Sequence, residues 1–275
     1  MMQRLRSAVP YVFLSVLTVP IVVGYIWLVI SSVSMRTYGL TAEGLTLENW
    51  RFLLEPIRNR PSIWQVLLST LAFAVPLALL DVTISSAAGY ALSRLKFPGR
   101  RLFLSMTIIL HAFPSATLLI AIFFVLRAVH LYDTIPGVVL VSLSLGLPLG
   151  IWLMKGFYDN VSWDVEMAAL IDGCSRIRAW WSVILPIIRP GLGALLLFSF
   201  LNGWGAYIIP YTFLATASIQ PISVYLQSLT GDYTFVNYGV VTAVGLFQLI
   251  PVVIFYLFTQ KYLLNLYSGG MKGAS

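Results

Sequence analysis

The chain has 275 residues, of which 59% are hydrophobic and only 10% charged, and its mean hydropathy is +0.89. About a quarter of the residues of a soluble globular protein are charged, so the composition excludes that class and indicates an integral membrane protein. The net charge of +7 is not gathered into a basic tail or an aromatic-interleaved basic patch, which argues against a nucleic-acid partner. With one cysteine, Cys174, the chain has no internal disulfide framework and no cysteine-based metal site.

Six apolar segments are long enough to cross about 30 Å of hydrocarbon as helices. They lie near 10–31, 64–88, 102–126, 134–155, 190–213 and 237–260. We therefore expect an all-α membrane protein with six transmembrane helices in a single domain over 1–275. The first segment has the basic flank of a signal peptide, but its apolar stretch is longer than a typical signal core, and we expect it to stay as an uncleaved helix.

Basic residues predict the orientation, because cytoplasmic loops retain lysine and arginine. With both termini in the cytoplasm, the six spans leave outside only five of the 17 basic residues, namely Arg36, Arg51, Arg58, Arg60 and Arg127. The segment 36–63 is then external. Its mixture of charged and apolar residues fits either a small amphipathic element on the membrane surface, beginning at 46–50, or a solvated connecting loop.

Sequence signatures of catalysis are missing. The chain contains no Gly-x-x-x-x-Gly-Lys-Ser/Thr phosphate loop, no His-Glu-x-x-His pair and no Gly-x-Ser-x-Gly elbow. His111 and His130 are the only histidines, so metal or nucleophilic catalysis has few residues to use. We expect this chain to have no catalytic residues, to bind no metal and to carry no cofactor of its own.

Polar residues inside the predicted spans are candidates for a solute path. Asp81 lies in the second span, where a carboxylate must face an interior or a cavity, and it serves either packing and inter-subunit hydrogen bonding or solute contact. The fifth span contains Asn202, Trp204 and Tyr207 next to the helix breaker Pro210, which predicts that it lines the route near the midplane. The alternative for these aromatic residues is packing against a neighbouring helix or a lipid-interface belt.

A polar island at 162–189 separates the fourth and fifth spans. The carboxylate of Glu166 suits the N-terminal turn of a short helix, and Gly173 suits its left-handed end. Ser175 is placed to cap a second short helix, which Pro186 helps to interrupt. The sequence predicts a cytoplasmic elbow of two helices, with Glu166 and Gly173 on one exposed face.

Three motifs carry a family resemblance. Glu166-Met-Ala168-Ala169, Asp172-Gly173 and, after nine further residues, Val183-Ile-Leu185-Pro186 resemble the EAA loop of binding-protein-dependent ATP-binding-cassette importers. The segment from Tyr90 to Arg100 and the tail 268–273 are similar to those of the maltose-type permease family for sugars and related solutes, on the side of its shorter permease subunit. Gly205 stands where that family often has Asn, so this chain lacks an amide side chain that relatives carry at that position of the fifth span.

The resemblance implies an importer in a bacterial or archaeal cell membrane. Its other subunits would be a second homologous permease, two cytoplasmic ATPases that bind ATP and Mg²⁺, and an extracytoplasmic solute-binding protein, while lipid and a small-molecule solute would contact the spans. ATPase coupling would fall to Glu166, Ala168, Ala169, Asp172, Gly173, Leu185 and Pro186. Glu166 would make charged contacts to an ATPase. The tail residues Gly269, Gly270, Lys272 and Gly273 would reach between the two ATPases.

An ion-coupled secondary transporter is the alternative class. It would be expected to show an inverted repeat and paired intramembrane charges, whereas this chain shows one intramembrane acid and no repeat. Co-purification of an ATPase favours the importer, and autonomous transport by the single chain favours the alternative.

Overall fold

The computed structural model describes residues 2–39, 41–57, 60–112, 114–231 and 236–269. The first elements are α1 (Met2–Ser32), β1 (Ser34–Tyr38), β2 (Thr41–Leu45) and a 3₁₀ helix (Glu48–Leu53). Four helices follow, α2 (Ile63–Arg94), α3 (Arg100–Ala112), α4 (Ser115–Ala128) and α5 (Ile135–Asp159). Next come α6 (Trp163–Ile171), α7 (Arg176–Ala179), a π-helical segment (Trp180–Ile184) and α8 (Leu185–Ile187). The last elements are α9 (Arg189–Gly205), α10 (Ile208–Phe213), a 3₁₀ turn (Ala217–Ile219), α11 (Ile222–Thr230) and α12 (Tyr238–Gly269).

The apolar helices make the chain a multi-pass membrane protein. In the described ranges, four helices are long and apolar enough to cross a membrane, and a pair bent by 76° adds a fifth. These are Phe13–Ser32, Ile63–Arg94, Ile135–Asp159, Tyr238–Phe258 and the pair Arg176–Ile187 with Arg189–Gly205. The predicted third span falls on α3 and α4, which separate near Pro114, a residue without an amide donor. The count of six spans stays a prediction.

One element departs from the all-α prediction. Strands β1 and β2 form an antiparallel hairpin in which Ser34 faces Leu45 and Arg36 faces Glu43. Gly39 stands in the turn with φ of +59°, a conformation that glycine adopts without steric cost. The 3₁₀ helix that follows lies where the sequence predicts a small element or a loop.

The contacts divide the chain into two compact units. The first unit comprises Met1–Ile63 and Tyr225–Pro251, and the second comprises Trp64–Val224 and Val252–Ser275. In the first unit, the Asn49 side chain donates hydrogen bonds to the carbonyls of Ser32 (3.1 Å) and Ser34 (2.9 Å). These bonds fix the 3₁₀ helix to the end of α1. The single domain over 1–275 stays a prediction.

The second unit packs α5 closely against α2 at an intramembrane carboxylate. Gly150 of α5 has no side chain, and a Cβ added there would lie only 2.7 Å from Oδ1 of Asp81. Any larger residue would push the two helices apart, so glycine is required by the close approach. The Ser199 hydroxyl of α9 donates a hydrogen bond to Asp81, so α9, which packs on α5, lies beside the same carboxylate.

Asp133 ties the loop between α4 and α5 to the segment after α10. Its carboxylate accepts hydrogen bonds from the amides of Ala215 (2.7 Å) and Thr216 (3.0 Å) and from the Thr216 hydroxyl (2.6 Å). Burial acts to raise the pKa of Asp133, but these three hydrogen bonds outweigh it and leave the pKa below its ordinary value.

Candidate functional site

Residues 162–189, for which the sequence predicts an elbow of two arms, are called the elbow. The first arm is helix α6, and both of its ends are capped. At the start, the Ser162 hydroxyl accepts a hydrogen bond from the Asp164 amide at 3.2 Å. At the end, Gly173 has φ of +89°, and the amides of Gly173 and Cys174 bond to the carbonyls of Leu170 and Ala169. This pair of bonds is the Schellman motif, which ends a helix sharply and fixes the direction of the chain that leaves it.

The second arm contains a wide helical turn that the sequence does not predict. Ser175 caps α7 by accepting from the Arg178 amide at 3.3 Å, as expected. The π-helical segment follows, and the Leu185 amide bonds back to the Trp180 carbonyl. Pro186 lacks the amide that would close the next narrow turn, which favours this wider one. The arm then meets α9 at the 76° bend.

Glu166 is buried against α2 rather than exposed. Its side chain is 2% exposed, and its Oε2 lies 3.2 Å from Nε of Arg94, which is equally buried. The Tyr90 hydroxyl donates a hydrogen bond to Oε1 of Glu166 at 2.7 Å. The prediction that Glu166 shares an exposed face with Gly173 is therefore wrong, because the charge is neutralised inside the chain by a residue at the end of α2.

Arg94 joins the elbow to two helices at once. Beyond its ion pair with Glu166, its Nη2 donates to the carbonyl of Tyr158 (2.9 Å), in the last turn of α5, and to that of Val161 (2.6 Å), just after the end of α5. Its guanidinium also lies 5.0 Å from the ring centroid of Trp163, the first residue of α6. One side chain at the end of α2 thus holds α5 and α6 in fixed positions.

A cluster of aromatic and hydroxyl groups anchors the second arm in the same place. The Tyr158 hydroxyl accepts from Nε1 of Trp180 at 2.8 Å and lies 2.8 Å from the Ser86 hydroxyl. The Tyr90 ring packs edge-on against Tyr158 and at 5.7 Å from Trp180. The second arm is therefore attached to α5 by the hydrogen bond of Trp180 and to α2 by the ring contact with Tyr90.

The exposed residues of the elbow include large apolar side chains. Three large side chains stand out from the elbow, Ile171 (84% exposed), Ile177 (77%) and Trp181 (69%). Of the residues expected to couple, Ala168, Asp172 and Gly173 are exposed, Leu185 and Pro186 are half-buried, and Ala169 is buried. The two alanines do not share a surface, because only Ala169 packs inward. Exposed apolar side chains mark a protein interface where they lie together.

The predicted tail contacts fall at the edge of the described chain. Gly269 is the last residue of α12. Gly270, Lys272 and Gly273 lie outside the described residues.

A cavity of about 360 Å³ lies within the second unit, between α2, α5 and α9. Its polar lining residues are Asp81, Ser142, Ser199 and Asn202. Asp81 accepts hydrogen bonds from the hydroxyl of Ser85 at 2.8 Å and from that of Ser199. Two of the predicted path residues, Asp81 and Asn202, are thus brought to one cavity.

The aromatic path candidates do not line this cavity. Trp204 is 2% exposed and stacks on Phe200 in a cluster with Ala74 and Ala78. Tyr207 stacks on Tyr211 at 5.1 Å between ring centroids. Residues two apart on a helix point about 200° apart, so Trp204 points away from the cavity that Asn202 faces. Of the alternatives left open by the sequence, helix packing therefore describes Trp204.

Tyr90 and Arg94 are site residues that the sequence does not single out. Both lie in the segment that carries the family resemblance. In the sequence, the charge of Arg94 is already explained by its role in fixing the orientation of the chain in the membrane. Their spacing of four residues places them on the same face of α2. A hydroxyl and a guanidinium side by side at a helix end are the signal that would have predicted a carboxylate partner.

Comparisons with known proteins place these features in a wider group. Residues 81–265 match the family model for the inner membrane component of binding-protein-dependent transport systems. The chain is 29% identical over 267 residues to a trehalose transport system permease protein of Mycobacterium tuberculosis, which covers 92% of this chain and 95% of the relative. It is 30% identical over 230 residues to a trehalose/maltose transport system permease protein of Thermococcus litoralis, with 83% and 82% covered.

Solved structures share the fold. The crystal structure of a bacterial ABC transporter that imports the acidic polysaccharide alginate contains a chain with a TM-score of 0.79 and 22% identity, covering 95% of this chain and 98% of that one. A second structure, of a bacterial alginate ABC transporter with an alginate pentasaccharide-bound periplasmic protein, gives a TM-score of 0.65 at 14% identity, covering 92% and 94%.

Proposed function

The chain belongs to the family of inner membrane components of binding-protein-dependent transport systems, and on this premise we propose that it is a permease subunit of an ATP-driven importer of a sugar or sugar-related solute. The sugar assignment is supported by relatives whose names include trehalose and maltose permeases. The chain would pair with a second homologous permease to enclose the path, and a solute-binding protein would deliver the solute from outside.

Six spans with both termini in the cytoplasm are the topology of this proposal. The spans would be α1, α2, α3 with α4, α5, α9 with α10, and α12. The helix breaks near Pro114 and at 206–207 support it, because broken helices are tolerated where neighbouring protein satisfies the freed backbone groups. The elbow would then lie in the cytoplasm, on the side that holds most basic residues.

The elbow is the observation that carries the proposal. It is fixed by the buried contacts of Glu166 and Trp180, and its exposed side chains include Ile171, Ile177 and Trp181. We propose that these exposed side chains dock on one of two cytoplasmic ATPases, which bind ATP and Mg²⁺. The exposed Arg176 and Arg178 add positive charge to the same segment.

Coupling needs a physical element that carries motion from the ATPase to the path. Glu166, Tyr90 and Arg94 bind the elbow to α2, so a displacement of α6 moves the end of that helix. Asp81 lies thirteen residues before Arg94 on the same helix, a distance of about 20 Å at the α-helical rise. Helix α2 would act as the lever between the docked ATPase and the cavity.

Co-purification tests this proposal. We expect the wild-type chain to co-purify with an ATPase whose activity rises when the loaded binding protein is added, and Ile171→Asp to lose that ATPase. Leu54→Asp is the matched control, because Leu54 is 87% exposed but lies beside the 3₁₀ helix of the first unit. Full ATPase retention and stimulation in Ile171→Asp, or transport by the purified chain alone, would contradict the proposal.

A further inference from the structure

The cavity between α2, α5 and α9 has one charged residue among its lining side chains, and that residue is acidic. Asp81 is 6% exposed, and each of its carboxylate oxygens accepts a hydroxyl hydrogen bond, from Ser85 or from Ser199. The lining residues include no lysine, arginine or histidine to balance it.

The remaining polar groups of the cavity are neutral hydrogen-bonding groups. The Ser142 hydroxyl has no hydrogen-bond partner among the described residues, and the side chain of Asn202 is exposed. Uncommitted polar groups are costly when they face hydrocarbon. The mouth of the cavity must therefore meet water, a solute or another subunit rather than lipid.

Gly146 keeps one wall of this cavity open. It lies on α5 one turn before Gly150, and a Cβ added at Gly146 would meet no atom within 4 Å. The cavity therefore has free space on the face of α5 that approaches Asp81. The other side of α5 is different, because Ser144 lines an apolar groove formed with α4.

We propose that the carboxylate of Asp81 makes this cavity exclude anionic solutes while it admits uncharged and cationic ones. The inference rests on the proposed permease function and deepens it by naming the charge of the solutes that this cavity excludes. An anion would be repelled by the nearby carboxylate in a medium of low dielectric constant.

Thiol labelling of the assembled importer in membrane vesicles tests this charge selectivity without knowledge of the natural solute. In a Cys174→Ser background, Gly146→Cys places a thiol in the cavity, and Ser144→Cys on the same helix is the control. The probes are cationic trimethylammonium-ethyl, neutral hydroxyethyl and anionic sulfonatoethyl methanethiosulfonates, with each rate divided by the rate for free cysteine. We expect Gly146→Cys to react with the neutral and cationic probes and about tenfold more slowly with the anionic one, while Ser144→Cys stays unreactive.

Replacing Asp81 identifies the source of the selectivity. Asp81→Asn is isosteric and can still accept a hydroxyl hydrogen bond, and we expect it to raise the relative anionic rate about tenfold. Ser199→Ala removes a hydrogen bond but leaves the charge, so it should keep the preference. In the parent Gly146→Cys chain, added salt should narrow the difference between the charged probes, which tests the charge without replacing Asp81.

Two results would overturn the inference in an importer that retains its ATPase and its stimulated ATP hydrolysis. One is a Gly146→Cys thiol that none of the three probes reaches, and the other is an anionic rate that Asp81→Asn leaves unchanged. Both would leave the permease function standing. Absence of any ATPase partner already in the Cys174→Ser background would instead count against the permease function and the inference together.

Discussion

The guanidinium of Arg94 and the carboxylate of Glu166 form an ion pair of 3.2 Å in which each side chain is only 2% exposed. Such a pair gains little net stability from its own attraction, because both charges have lost their water. Its importance is positional. If either side chain moved out of the pair, the other would remain as a buried charge without a partner. The pair therefore keeps α6 in place against the end of α2.

We predict that Glu166→Ala lowers the free energy of unfolding by about 3–5 kcal/mol, because Arg94 remains as an uncompensated buried charge. Denaturant unfolding of the purified chain in detergent measures this loss. Glu55→Ala is the control, because the Arg51–Glu55 pair has the same 3.2 Å separation but side chains 64% and 63% exposed. An exposed pair contributes less than about 1 kcal/mol, so equal losses in the two variants would contradict the positional role.

Tyr90→Phe should cost about 1.5–3 kcal/mol, the range for a hydrogen bond to a charged group. The change removes the hydroxyl that bonds to Glu166 and leaves the ring contacts with Tyr158 and Trp180 in place. Combined with Glu166→Ala, it should add little, because both changes break the same contact. Additive losses in unfolding experiments would show that the Tyr90 hydroxyl acts elsewhere.

Gly173→Ala should destabilise the elbow by about 1–2 kcal/mol, the cost of a left-handed conformation for a residue with a side chain. Its φ is +89°, although an added Cβ would meet no neighbour, so the penalty is conformational rather than steric crowding. Solute-stimulated ATP hydrolysis by the assembled importer should fall with it. Gly156→Ala is the matched control, because Gly156 is helical and equally free of neighbours, and it should be neutral or stabilising.

Stability should depend on acid through Asp133. Because the folded-state pKa of Asp133 is lowered, its contribution is present above the pKa of the unfolded chain, about 3.9, and is lost as the pH falls through the folded-state value. Asp133→Asn should lower the unfolding temperature at about pH 7 and have a smaller effect at about pH 3. A difference that is the same at both pH values would assign the stabilisation to the loop backbone instead.

Reporter fusions test the orientation. A reporter after Arg100 or Lys272 should be cytoplasmic, and one near Glu55 or Asp232 should be external, as the distribution of basic residues requires. A cytoplasmic signal near Glu55 would place the elbow outside the cell and remove it from reach of an ATPase.

The sequence predicts features that depend on neighbouring residues and misses those that depend on distant ones. Gly173 and Ser175 act within a few residues, and both have the predicted role in the structure. The sequence predicts the wrong position for the Glu166 side chain because its partner Arg94 lies on another helix, and nothing in the local spacing of α6 reveals that partner. Composition alone groups Trp204 with Asn202, although the helical period separates their faces.

The hairpin at 34–45 was missed for a related reason. Its strands are short, carry threonine and tyrosine among charged residues, and bury little apolar surface, so they lack the alternation that marks a strand. The turn residue Gly39 was the available signal.

The hydrogen bond between Tyr90 and Glu166 joins residues 76 positions apart in the sequence. In the proposed topology, Arg94 would be synthesised before its carboxylate partner and would have to stay in water, so it would limit how far α2 slides into the bilayer. The carboxylate of Glu166 would arrive only after α5 has crossed the membrane. Arg94 would thus act first as an anchor during insertion and later as the partner that fixes α6.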